Sequence, residues 1–118
     1  MANILIVEDT ELQMRLLQSF LQLEHDVVDT ATDGDEAVEL AERHDVDVVV
    51  MDLNLPNTSG IQATERITSA EEDVKIVVST AVIDEGAIEA ATAAGADEVL
   101  IKPFDRTELL AAVRSVVE

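Results

Sequence analysis

Residues 46–60 read VDVVVMDLNLPNTSG. The first six, Val46 to Met51, are apolar and β-branched at nearly every position, the composition of a strand covered on both faces. Such a strand belongs in the middle of a parallel sheet. It runs into Asp52, and Pro56 and Gly60 then shape a turn before Ser59 to Ala70, where Ile61, Ala63, Thr64 and Ile67 recur at helical spacing. The unit is strand, turn and helix, with a carboxylate at the strand's carboxyl end.

The same grammar extends in both directions. Asn3 to Val7 (NILIV) and Val74 to Ser79 (VKIVVS) are two more continuous apolar runs, whereas Asp26 to Ala31 (DVVDTA) and Glu98 to Ile101 (EVLI) are more polar, as strands at sheet edges are. Helical periods lie between them. Leu12, Leu16, Phe20 and Leu23 recur along Thr10 to Leu23 and predict that helix's buried face; Ala37, Val38, Leu40 and Ala41 do so along Gly34 to His44. Ala87, Ile88, Ala91 and Ala94 precede Gly95, which ends their helix, and Leu109, Leu110, Val113, Val116 and Val117 line the last. Strict β-α alternation predicts an α/β fold, a doubly wound open parallel sheet of five strands with helices on both faces. Ligands in such sheets bind outside the carboxyl ends of the strands, where the winding reverses. At 118 residues the expectation is one domain, 1–118, with no internal repeat or linker.

Charge narrows the function. Twenty-six acidic residues against seven basic ones give −19, which argues against direct nucleic-acid binding. Only Lys75 and Lys102 are lysine. An excess of surface carboxylates repels itself unless salt screens it, so the composition suits a salt-rich cytoplasm and points to a halophilic source, with a melting temperature that rises with KCl concentration. With no cysteine there is neither a disulfide framework nor a thiolate metal site. Glu8 and Asp9 directly follow Ile4 to Val7, unlike a signal peptide, and no apolar run reaches membrane-spanning length, so a cytoplasmic location away from the membrane is expected.

Four strand ends carry chemistry: Glu8-Asp9, Asp52, Ser79-Thr80 and Lys102-Pro103. The predicted topology opens all four on one edge. Three converging carboxylates require a cation, and oxygen ligands with room for water suit Mg²⁺, held by Glu8, Asp9 and Asp52. A lysine and a hydroxyl beside a metal-bound carboxylate are what a transferring phosphoryl group needs, and a carboxylate can itself be the nucleophile. Asp52 ends the most apolar strand and is the acid expected to be held most firmly. Each signal alone has an ordinary reading. The acidic pair could be a solvated loop, Thr80 a helix cap, Lys102 a surface charge, and His25 and His44 solvated residues near helix ends. The conjunction of four loops is what carries weight.

On the segments ILIVEDTELQMRLL, VVVMDLNLPNTSG, VVSTA and IKPF, the chain resembles the CheY-like receiver domain of two-component response regulators along its whole length. The resemblance implies strand order 2-1-3-4-5. It implies Mg²⁺-dependent phosphorylation of Asp52 by a partner histidine kinase or histidine phosphotransfer protein. Asp9 would bind the metal directly, Glu8 through water, and Asn54 through its backbone carbonyl. Thr80 would be the switch hydroxyl and Lys102 the lysine that pairs with the phosphate, with a cis bond to Pro103. A downstream effector would engage the face of helix four, strand five and helix five, around Ala87 to Glu89, Val99 and Arg106, and the family pattern also allows a homodimer on phosphorylation. The protein would be a phosphoacceptor rather than an enzyme, catalysing at most its own phosphorylation and dephosphorylation. It would act as a single-domain messenger or as the receiver of a longer regulator.

Two positions depart from the family pattern. Val99 stands where a tyrosine or phenylalanine is usual, so the aromatic readout is missing, and apolar Val82 leaves water access to the phosphate open. Three rivals compete with this reading. A haloacid dehalogenase type phosphatase would want a second aspartate at Asn54 and its nucleophile on the first strand. A flavodoxin-like binder would cradle a phosphate where Glu8 and Asp9 would repel one. A degenerate receiver would serve only as an interaction module, against which the intact Asp9, Asp52, Thr80 and Lys102 argue.

Overall fold

A computed structural model of the protein describes residues 1–71, 73–81 and 84–117; Val82 lies outside them. The elements alternate: β1 (Asn3–Val7), α1 (Glu11–Leu21), β2 (Asp26–Ala31), α2 (Gly34–Arg43), β3 (Val48–Asp52), α3 (Gly60–Ala70), β4 (Lys75–Thr80), α4 (Glu85–Ala94), β5 (Glu98–Ile101) and α5 (Arg106–Val117). The strands pair in parallel in the order β2-β1-β3-β4-β5, so the polar second and fifth strands are the edges and the winding reverses between β1 and β3.

Side-chain alternation along the strands divides the core in two. Val49, Met51, Ile76 and Val78 face the layer of α2, α3 and α4 through Ala37, Ala41, Ala63, Ile67 and Ala91. Ile4, Ile6, Val48, Val50 and Val77 face α1 and α5 through Met14, Leu17, Leu21, Leu109 and Val113. All five residues of β3 are buried, as its unbroken apolar run requires. At ~1.5–3 kcal/mol for each buried Val, Leu or Ile side chain, this central strand anchors the sheet and whatever stands at its end.

The helix boundaries have local causes. Ser59 accepts from the Gln62 N–H and the Gln62 side chain accepts from the Ser59 N–H, a reciprocal cap that starts α3. Gly95, at φ +119°, ends α4 in the left-handed conformation that glycine adopts most readily. The third strand begins two residues later than the apolar run suggested, because Asp47 turns back to accept the Asn3 N–H at 2.8 Å through Oδ2.

Two expectations are corrected. Most of the apolar stripe assigned to the core side of α1 faces outward: Leu12, Leu16 and Leu23 are 74%, 44% and 60% exposed, whereas Phe20 packs half-buried against the core beside the buried Met14, Leu17 and Leu21. The helix carries two apolar stripes, and the one that adjoins β1 and α5 is the core. His25 is not solvated. It is buried after α1, where its Nδ1 accepts the Ala2 N–H at 3.0 Å. His44 is half-exposed and pairs through Nε2 with Asp29 Oδ2 at 2.9 Å.

Candidate functional site

Asp52 stands at the carboxyl end of β3, 5% exposed, on the same sheet face as Val48 and Val50. Its neighbour on β1 is Glu8, which follows the Val7–Met51 pair and is also buried. Asp9 is exposed at the rim, and one oxygen from each of Glu8, Asp9 and Asp52 lies within 4.8 Å of the others. From the far edge Lys102 reaches across the sheet. Its Nζ donates to Glu8 Oε2 at 2.9 Å and lies 3.5 Å from Asp52 Oδ2. The Lys102 N–H donates to the Thr80 carbonyl at 2.8 Å, extending the β4–β5 ladder, and the Lys102–Pro103 bond is cis as expected.

These groups line one cavity of about 310 Å³ together with Thr10, Gln13, Asn54, Thr80 and Ala81. Thr80 is buried at the end of β4. Its bland reading as a helix cap falls away, since the cap of α4 is Asp84, which accepts the Gly86 N–H at 2.8 Å. Asn54 holds Asp52 from the other side, its backbone N–H donating to Oδ1 at 3.1 Å.

The loop that presents Asn54 is held tightly. Gly60 donates its N–H to the Leu53 carbonyl at 3.1 Å, and a Cβ there would stand 2.2 Å from the Asp52 carbonyl oxygen. Glycine is therefore required by close approach to the carboxyl end of β3. The turn also uses a left-handed Asn57 at φ 63°, and the Asn57 side chain donates to Asp33 at the start of α2 at 3.2 Å. Two walls of the cavity carry no sequence signal of their own: Thr10, the N-cap of α1, and Gln13 on its first turn, both within four residues of Asp9.

Electrostatically the site is short of positive charge. Burial pushes the Glu8 carboxyl above its ordinary value; the Lys102 ammonium pulls it back, and the Asp52 charge adds to the rise. The Lys102 ammonium pairs with two of the three carboxylates, Glu8 and Asp52. The donor set is all oxygen, partly buried and open to the cavity, so the residues fit a hard divalent cation such as Mg²⁺. The expected Mg²⁺ ligands Glu8, Asp9 and Asp52 are brought together, with Thr80 and Lys102 beside them. In this arrangement Glu8 accepts directly from Lys102. Val99 is half-buried, packed with the cluster beneath α2, α3 and α4.

Among the described residues no helix is long and apolar enough to cross a membrane. Comparison with known proteins agrees with the fold. The response regulator receiver domain family matches residues 4–114. The chemotaxis protein CheY of Halobacterium salinarum is 34% identical over 115 residues, covering 98% of this chain and 96% of the relative. The transcriptional regulatory protein PdtaR of Mycobacterium tuberculosis is 40% identical over 116 residues, covering 98% of this chain, which spans only 56% of that longer relative. The crystal structure of the CheX-CheY-BeF3-Mg²⁺ complex from Borrelia burgdorferi contains a chain that superposes with a TM-score of 0.94 at 29% identity, covering 99% of this chain and 90% of that one. With five parallel strands in the order 2-1-3-4-5, an acid cluster at the switch point and a family match over nearly its full length, the chain belongs to the receiver domains of two-component response regulators.

Proposed function

We propose that this receiver takes a phosphoryl group onto Asp52 from the phosphohistidine of a histidine kinase or phosphotransfer protein. The observation that carries the reading is the Lys102 ammonium between Glu8 and Asp52, beside Asp9, in a single cavity. An Asp52 carboxylate oxygen attacks phosphorus; the new O–P bond forms as the donor's N–P bond breaks, and the electron pair leaves with the imidazole nitrogen. Asn54 orients the attacking carboxylate through its N–H. Lys102 neutralises charge on the phosphoryl oxygens, and the Thr80 hydroxyl is placed at the cavity wall to meet one of them. Glu8, Asp9, Asp52 and the Asn54 carbonyl would hold Mg²⁺, which when bound would supply charge neutralisation of the transferring group.

The change of state would leave by the surface nearest the two groups that contact phosphate. α4 follows the Thr80 loop, β5 leads directly into Lys102, and exposed Arg106 opens α5. Effector binding on this face, around Ala87 to Glu89, Val99 and Arg106, is the corresponding output, carried by the α4–β5 surface without an aromatic step at Val99. The domain is a cytoplasmic phosphoacceptor, not a turnover enzyme, and phosphorylation allows a homodimer.

Incubation with acetyl phosphate in concentrated KCl, with and without Mg²⁺, followed by intact mass measurement tests the chemistry. One Mg²⁺-dependent phosphate adduct, absent from Asp52→Asn, is expected. No adduct on folded wild type would favour an interaction module instead.

A further inference from the structure

Ser79, the residue before Thr80, is wholly buried, and its Oγ has no hydrogen-bond partner among the described residues. A buried hydroxyl without a partner is destabilising, and in a native structure it calls for a physical reason. The sheet register locates it. Ser79 is the direct neighbour of Asp52 on β3 and of Leu100 on β5. Alternation puts it with Val77 on the face covered by α1 and α5, the face that also carries Asp52 after Val50 and Glu8 after Ile6. Glu8, Asp52 and Ser79 therefore form one row across three adjacent strands. Lys102, two residues beyond Leu100 on the same face, must cross β4 on the side where Ser79 stands in order to reach Glu8 and Asp52. The other four residues of β4 before Thr80 are lysine or apolar; at this one position the chain places a small side chain with a lone pair.

We infer that Ser79 Oγ is a second berth for the Lys102 ammonium. An ammonium has three donors, and those of Lys102 point to Glu8 and Asp52 in this state. Once the two carboxylates are neutralised by a bound divalent cation, their hold on the ammonium is lost. The side chain then draws back along its own path over β4, and Ser79 Oγ accepts the N–H that Glu8 released. Ser79 is thus a positioning residue acting through Lys102: it lowers the cost of parting the lysine from Glu8 and holds it beside Asp52 for the phosphoryl group. The inference rests on the metal-binding reading above.

Two measurements on wild type, Ser79→Ala and Ser79→Thr separate this from a packing role: Mg²⁺ affinity by titration calorimetry, and melting temperature without Mg²⁺. In Ser79→Ala the affinity falls on the order of tenfold, the size of one charge-assisted hydrogen bond. Its metal-free melting temperature stays level or rises, because the orphan hydroxyl is gone. Ser79→Thr, which keeps the hydroxyl, recovers affinity relative to alanine. Unchanged affinity in Ser79→Ala overturns the inference, as does a loss of affinity that only tracks a loss of melting temperature. Wild type that binds no Mg²⁺ overturns the metal-binding reading and this inference with it.

Discussion

The two ends of the sheet use carboxylates in opposite ways. At the amino end, Asp47 accepts the Asn3 N–H and Asp97 accepts the Ile76 N–H, each at 2.8 Å, so an acid ahead of one strand caps the first free donor of its neighbour. At the carboxyl end the strands present carbonyls, which cannot answer a carboxylate. There Glu8, Asp9 and Asp52 stand together with one lysine to share. Parallel strands make this difference unavoidable: donors run short of acceptors at one edge and acceptors of donors at the other. Acids at the amino edge are structural, and acids at the carboxyl edge are left over for chemistry.

The sharpest way to break this comparison is Lys102→Met, which leaves Glu8 and Asp52 buried without a cation. Removing one partner of such a group costs about 3 kcal/mol, so metal-free stability in urea titrations should fall by roughly that amount, with Mg²⁺ recovering part of it. An acid at the amino edge has no equivalent rescue. Gly60→Ala comes next: the added methyl group overlaps the Asp52 carbonyl and should cost about 2 kcal/mol as the loop moves away, weakening Mg²⁺ binding as well. Asp97→Ala removes a cap from the opposite end and strands the Ile76 N–H, costing ~1 kcal/mol in the same urea assay. Calorimetry should show its Mg²⁺ affinity unchanged, which is the contrast between the two ends in one experiment.

The smallest effect concerns acid. Burial lowers the His25 pKa below the ordinary 6.5, with the chain amino terminus and Arg114 pushing the same way and Glu24 opposing. The folded state thus takes up the proton less readily than the unfolded one. His25's contribution is complete above the unfolded value and declines as pH falls below 6.5 toward the folded one. Urea midpoints of wild type should therefore drop more steeply on acidification through this range than those of His25→Asn.

Much of this was legible in the sequence, for reasons that differ by element. β1, β3 and β4 are apolar on both faces, so their ends, and hence Glu8, Asp52 and Thr80, could be located by reading where each run stops. The side of α1 that packs inward could not, because Leu12-Leu16-Leu23 and Met14-Leu17-Leu21 both recur at helical spacing and only the neighbouring strand and α5 decide between them. The roles of Asp47 and Asp97 depend on strand register, which spacing does not encode. The Lys102–Glu8 bond joins residues 94 apart in the chain and required the strand order before it could be drawn.

Asp52, and not a neighbouring acid, is the proposed nucleophile. After incubation with acetyl phosphate and Mg²⁺, borohydride reduction of the acyl phosphate followed by peptide mass mapping reads the labelled residue directly. Modification at Asp52 alone is expected; modification at Glu8 or Asp9, with Asp52 untouched, would rule out Asp52 as the nucleophile.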